Sequence, residues 1–122
     1  MSADQTLQDC IFCRIVRGEV PAKKVYEDAD VLAFNDIHPQ AQVHFMVIPK
    51  RHIGSLADAT PDDAGVLGKM LSLTGRLARE QGSPDGFRTV VNTGRVGHQD
   101  VMHLHIHVLG GTNPFGRMLP RE

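Results

Sequence analysis

The sequence predicts an α+β domain: an antiparallel sheet of about five strands, one long helix and a short N-terminal helix. Three observations carry that reading. Short apolar segments recur with hairpin-length connections, which favours antiparallel pairing over a doubly wound sheet. One long stretch, opening at Thr60-Pro61-Asp62-Asp63, has helical spacing. The run VMHLHIHVLGG alternates residue types with the strand period of two.

Taken in order, residues 1–8 read as a loose arm. Asp9 reads as the cap of a short helix carrying Ile11, Phe12, Ile15 and Val16 on one side, with Gly18 as its stop and Pro21 beyond. Residues 24–27 and 31–35 read as strands around the turn residues Asp28, Ala29 and Asp30. Segment 43–48 is a third strand closed by Pro49, with His44, Met46 and Ile48 on one face and Phe45 and Val47 on the other. At Thr60 a hydroxyl cap, a proline in the first position and two early carboxylates all suit the positive end of a helix. The helix runs to about Gln81, with Ala64, Leu67, Met70, Leu71, Thr74, Leu77 and Ala78 as its core stripe. The turn sequence GSPDG ends it. Segment 87–92 is the fourth strand, 93–100 a glycine-containing loop, 102–109 the histidine strand and 112–122 a tail. All 122 residues are expected to form one domain.

Thirteen basic residues against 14 acidic ones give a net charge of −1 and no electrostatic footprint for nucleic acid. No segment approaches ~18 continuous apolar residues, and MSADQTLQDC lacks a basic region followed by an apolar run. The expected localisation is therefore cytoplasmic, with neither nucleic acid nor membrane as a partner. In that compartment the two cysteines point to metal or redox chemistry rather than a structural disulfide.

His103, His105 and His107 are the most informative residues. On a strand all three imidazoles face one way while Leu104, Ile106 and Val108 face the other. Three buried histidines kept only for packing would each need a hydrogen-bond partner, which disfavours a purely structural role. One ion held by all three meets a geometric objection: same-face neighbours lie ~7 Å apart and the outer pair ~13 Å, whereas a Zn–N bond is only ~2 Å. The spacing suits donors laid along an extended anion. A neutral imidazole nitrogen attacks phosphorus and its neighbours stabilise the oxygens where charge develops.

With HLHIHVLGG in view, the chain resembles the histidine triad superfamily. The likeness extends to CIFCRIVRGEVPAKKVYED, VLAFNDIHPQAQVHFMVIPKRHI, FRTVVNTG and the GG-containing tail, covering most of residues 10–119. It looks like the Hint branch, dimeric purine nucleoside phosphoramidases, and especially its bacterial members. The resemblance implies that His105 attacks the α-phosphorus of an AMP- or GMP-amine conjugate, forming a nucleotidyl-histidine that water resolves. It implies that the main-chain carbonyl of His103 fixes the reactive tautomer of His105, that His107 bonds the phosphoryl oxygens or bridging atom, and that His44 is a further phosphate-site histidine. Ile15, Phe34 and Ile37 match the purine pocket, Asp36 the ribose carboxylate, and Asn92, His98, Gln99 and Asp100 the segment flanking phosphate and leaving group. The run Gly97-His98-Gln99-Asp100 departs from the usual Gly-Gly-Gln followed by Ser or Glu. His98 is expected to narrow the approach or to require φ < 0, and Asp100 to favour cationic leaving amines.

Cys10 and Cys13 are three apart, adjacent on one helical face and able to share one ion. A redox pair of the thioredoxin type would need a preceding strand, which is missing. By resemblance to zinc-bearing bacterial relatives the ligand set is Cys10, Cys13, His52 and His103, a structural zinc that catalysis does not require; the alternative is a reduced, metal-free pair. The resemblance also implies a homodimer, formed through the long helix and adjoining strand, with Phe115, Met118 and Leu119 of the tail as candidate contacts. Two other readings stand beside the phosphoramidase: a nucleotide-binding regulatory module with little turnover, and a zinc-dependent hydrolase that uses the histidine row as ligands.

Overall fold

A computed structural model describes residues 10–119. The order along the chain is α1 (Ile11–Val16), β1 (Lys24–Glu27), β2 (Val31–Asn35), β3 (Val43–Pro49), a 3-10 turn (Pro61–Asp63) leading into α2 (Ala64–Glu80), β4 (Phe87–Val90) and β5 (Ile106–Gly110). The strands form one five-stranded sheet in the order β1-β2-β3-β5-β4, and every neighbouring pair is antiparallel. The predicted fold class is the observed one. Among the described residues no helix is long and apolar enough to cross a membrane.

Alternation along β2 and β3 splits the interior into two cores. Val31, Ala33, Val43, Phe45 and Val47 face α2, where Met70, Leu77 and Ala78 meet Leu104, Ile106 and Val108. Leu32, Phe34, Met46 and Ile48 face the other way, onto Cys10, Phe12, Cys13 and Ile15 of the α1 segment. The helix α2 thus backs the sheet, and α1 covers the opposite face where the histidines lie. Both central strands are buried on both sides, as their near-continuous apolar composition requires.

Local chemistry explains the boundaries. Thr60 accepts from the Asp62 N–H while Asp63 Oδ2 accepts from the Thr60 N–H at 2.9 Å, a reciprocal cap that satisfies orphan donors of the first turn. Asp63 is further held by the Arg51 guanidinium. Helix α1 is capped by Cys10, not by the expected Asp9, which lies outside the described residues; the Cys10 thiol accepts from the Cys13 N–H at 3.2 Å. Gly18 leaves that helix at φ +79°, where a side chain would be strained.

Three expectations need correction. Ala64 and Leu71 do not belong to the core stripe of α2. Leu71 lies about 100° round the helix from Met70 and is 53% exposed, while Val66, Leu67 and Leu73 pack against the core. The histidine strand begins at Ile106 rather than at residue 102. Its ladder with β3 stops at Val47↔Ile106 because the next position on β3 that would donate is Pro49, which has no N–H. With residue 105 out of the ladder, β4 has nothing to pair beyond Val90↔His107, so it ends there and not at Asn92.

Candidate functional site

The sheet places His44 on β3 and His107 on β5, while His103 and His105 sit in the bend that leads into β5. The face segregation predicted from alternation still holds. Leu104, Ile106 and Val108 enter the α2 core, and the rings of His103 and His105 stand edge-on to Phe12 with centroids 5.8 and 5.2 Å away.

Hydrogen bonds to main-chain groups of fixed polarity settle each tautomer. A carbonyl oxygen only accepts, so His105 donates Nδ1–H to His103 O at 2.7 Å and its Nε2 keeps a free lone pair. His103 donates Nε2–H to Pro49 O at 2.8 Å, which leaves the Nδ1 lone pair facing the thiols. An amide N–H only donates, so His44 Nδ1 accepts from Gln40 at 3.0 Å and the proton sits on Nε2. That proton bridges 3.0 Å to His107 Nδ1, leaving His107 with an Nε2–H to offer. Asp36 Oδ2, 3.4 Å from His44 Nε2, adds negative charge to this chain. The His105 and His107 rings are 4.9 Å apart. A lone pair and an N–H donor therefore stand side by side, the complement needed to attack one atom while stabilising its neighbour.

Burial favours the neutral forms of His107, His103 and His52. Burial, followed by the neighbouring His105 and His44, lowers the His107 pKa, and Asp36 and Asp100 only partly oppose this. Burial pushes His103 down to about 4 despite its bond to Pro49. His52 is lowered as well, again by burial.

A second cluster lies beside the first. Cys10 Sγ and Cys13 Sγ are 3.2 and 3.5 Å from His103 Nδ1, and Cys13 Sγ is 3.3 Å from His52 Nδ1. All four donor atoms lie within 4.8 Å of one another. Tetrahedral zinc with Zn–S near 2.3 Å and Zn–N near 2.0–2.1 Å has S···N edges of about 3.5 Å, so the residues fit such an ion. The chemistry fits too: burial pushes the Cys13 thiol up to about 12, a cost that a dication removes by binding the thiolate. The His103–Pro49 bond is the outer-sphere contact that orients a metal-binding imidazole.

Asp36, His44 and His107 also bring three donor atoms within 4.8 Å. They are wired differently. The His44 nitrogen facing His107 carries a proton, because its other nitrogen accepts from the Gln40 amide. This set is a chain of proton donors and not a cage of lone pairs.

The remaining expected residues fall into place unequally. Ile15 and Phe34 are buried with Phe12, 7% and 3% exposed. Asn92 is half-buried just past β4. Ile37, by contrast, is 84% exposed and forms no wall in the single chain. Gln99 is engaged inside the protein: its amide donates to Gly54 O and Val101 O and accepts from the Gly94 N–H, so it braces the loop rather than reaching outward. His98 does not require φ < 0. It holds φ +59°, its side chain is 90% exposed, and its Nε2 is 3.5 Å from Asp100 Oδ1. Three contributors escaped the sequence reading: the ring of Phe12 against His105, the Gln40 amide and the Pro49 carbonyl. Main-chain groups leave no residue-type signal, and Phe12 reads as ordinary core.

The chain is similar to known proteins along most of its length. The HIT domain model matches residues 17–113. The chain is 47% identical over 104 residues to protein HitA of Neisseria gonorrhoeae, covering 85% of this chain and 97% of that one. A histidine triad protein from Clostridium difficile, 43% identical, superposes with a TM-score of 0.83 over 89% of this chain and 96% of that one. A HIT family hydrolase from Legionella pneumophila, 45% identical, gives 0.81 over 85% and 94%. The chain belongs to the HIT domain family.

Proposed function

We propose that this protein is a purine nucleoside phosphoramidase of the Hint type, a hydrolase that cleaves the P–N bond of AMP- or GMP-amine conjugates. The observation that carries the reading is the 2.7 Å bond from His105 Nδ1 to His103 O, which leaves Nε2 of His105 as a lone pair beside the Nε2–H of His107. The hydrolase named from Legionella pneumophila supports the reaction class.

His105 Nε2 attacks the α-phosphorus and the P–N bond to the leaving amine breaks. His107 Nε2–H hydrogen-bonds the bridging atom or a phosphoryl oxygen as charge develops, and the amine leaves with a proton drawn from solvent, which the water attacking in the next step returns. Water then attacks the nucleotidyl-His105, the P–Nε2 bond breaks, and the nucleoside monophosphate is released. His44 contributes by holding His107 in the donor tautomer. Ile15, Phe34 and Ile37 line the purine side, Asp36 the ribose, and Asn92 with the His98–Asp100 loop the leaving-group side. Catalysis needs no cofactor. Zinc held by Cys10, Cys13, His52 and His103 is structural, with all four positions filled by protein.

The assembly belonging to this reading is a homodimer in the cytoplasm. Among the described residues the outer edge of β4 is unpaired, and Leu71 of α2 and Phe87 of β4 are 53% and 39% exposed. The tail leaves along this side: Arg88 of β4 stacks over Phe115 at 5.0 Å and donates to Gly116 O, while Met118 and Leu119 remain exposed.

Turnover of adenosine 5′-phosphoramidates with a fluorogenic amine, by wild type and His105→Asn, tests the proposal. Wild type turns over and the variant loses at least about three orders of magnitude. Nucleotide binding without turnover in wild type refutes it in favour of a regulatory binding module. Turnover abolished by chelation and restored by zinc, with His105→Asn still active, refutes it in favour of a zinc-dependent hydrolase.

A further inference from the structure

We propose that His103 is a positioning residue that couples occupancy of the metal cluster to the orientation of His105, so that metal bound at Cys10, Cys13 and His52 holds the nucleophile in its reactive pose. The inference rests on the reading of His105 as nucleophile.

One residue serves both clusters. The side chain of His103 presents Nδ1 to the two thiols, and its main-chain oxygen receives the Nδ1–H of His105 at 2.7 Å. No ladder partner fixes this carbonyl, since β5 begins three residues later at Ile106. What locates it is the His103 ring, held on one side by Pro49 O and on the other by the sulfurs, together with the Leu104 N–H to Ile53 O at 2.7 Å. The ring is fully buried and edge-on to both Phe12 and His52. The ring and the Leu104 main-chain bond flank the carbonyl, so its position depends on how firmly the ring is anchored as well as on that bond.

Two thiols without a cation give a weak anchor. A thiol is a weak hydrogen-bond donor, and the single Nδ1 lone pair of His103 accepts well from only one of the two sulfurs at a time. A dication converts the same four groups into a rigid unit of coordinate bonds. Loss of metal therefore loosens the acceptor of His105 Nδ1–H and lets the ring populate the other tautomer, whose Nε2 carries a proton and cannot attack phosphorus. The nucleoside side shares core packing with the cluster, Ile15 lying on the helix that carries Cys13 with Phe34 in the same core. The His103 carbonyl, however, bonds His105 and not that side, so binding is expected to change much less than kcat.

The test compares zinc-loaded wild type, wild type stripped by chelation and dialysis, and Cys10→Ser, full-length in each case. Serine keeps the helix cap and removes the thiolate. Four quantities are read: zinc content, the ¹⁵N shifts of the His105 ring, kcat and KM on an adenosine 5′-phosphoramidate, and the Kd of AMP. In the stripped and variant proteins kcat falls about three- to tenfold, the range of one ordinary hydrogen bond. KM and Kd stay within about twofold, and the His105 spectrum moves from Nδ1-protonated toward a mixture. Zinc restores stripped wild type and not Cys10→Ser. Identical His105 spectra and kcat across loaded and stripped protein overturn the proposal, as does failure of wild type to take up zinc. Parallel loss in KM, Kd and kcat also overturns it, since that marks a general structural role. A spectrum that shifts while neither form turns over supports the coupling and refutes the phosphoramidase reading instead.

Discussion

His44 and His107 face each other diagonally across β3 and β5, Nε2 to Nδ1 at 3.0 Å. The register pairs Met46 with His107 and His44 with Leu109, so the two rings meet as same-face diagonal neighbours, a distance that only large side chains bridge. Because the Gln40 amide occupies the other nitrogen of His44, a main-chain N–H in the loop before β3 dictates which proton His107 offers.

Replacing His44 by alanine releases that constraint. The expected result is a fall in kcat of about ten- to a hundredfold, at or below the low end of the range for losing a proton donor outright because His107 itself remains, with KM changed much less. Water reaches the Gln40 N–H once the ring is gone, since Gln40 is exposed, so the lost bond costs about 0.5–1.5 kcal/mol, which urea denaturation measures. An unchanged kcat in a folded variant contradicts the relay.

Protonation of His107 has the opposite sign from a group that gains a partner. Its pKa lies below the usual 6.5, chiefly through burial, so the folded chain binds that proton less readily than the unfolded one. The stability it contributes is therefore complete above pH 6.5 and is lost as pH falls through the folded value. A second proton on Nδ1 also breaks the bond from His44. The expected profile of kcat/KM is flat from pH 6.5 to 8 and declines on the acid side; a decline that begins well above pH 6.5 contradicts the neutral assignment.

The metal cluster makes a direct prediction of composition. Protein purified without a His-tag carries about one equivalent of zinc per chain, and less than about a tenth counts against the site. Stripping lowers the melting temperature by several degrees, since a ligand bound only to the native state at ~100 times its Kd contributes about 2.7 kcal/mol.

The His98–Asp100 pair separates shape from charge. His98 pays for a left-handed backbone at φ +59°, about 1–2 kcal/mol, partly offset in His98→Gly by the greater freedom of the unfolded glycine. The glycine variant is expected to be equal or slightly higher in stability, with kcat/KM unchanged within about twofold because the ring is in solvent. Asp100→Asn lowers kcat/KM for cationic leaving amines relative to neutral ones. Equal effects on both amine classes contradict a charge role for Asp100.

Much of the fold was legible because local chemistry and global pattern agree. Thr60 through Asp63 announce the start of α2, and the alternation of β3 announces its two faces. What escaped were effects of partners. Leu71 satisfies helical periodicity, but no strand lies on its side of α2. Strand β5 starts late because Pro49, on a different element, has no donor to share. In the site, the residue types were readable from the pattern, and their division of labour was readable only through the family resemblance. Three alternating histidines by themselves say nothing of the main-chain groups of Gln40 and Pro49 that fix the tautomers of His44 and His103, whereas the His103 carbonyl bonded to His105 was implied by the resemblance. Gln99 shows the reverse limit: a residue at a site position whose side chain is spent on its own loop.

The most direct measurement is rapid quenching of wild type with an adenosine 5′-phosphoramidate, followed by intact-mass and peptide mass spectrometry. A transient nucleotidyl mass located on His105, absent from His105→Asn, is the predicted result. Turnover with no adduct at any time point, or retained activity in the variant, contradicts the assignment of Nε2 of His105 as the nucleophile.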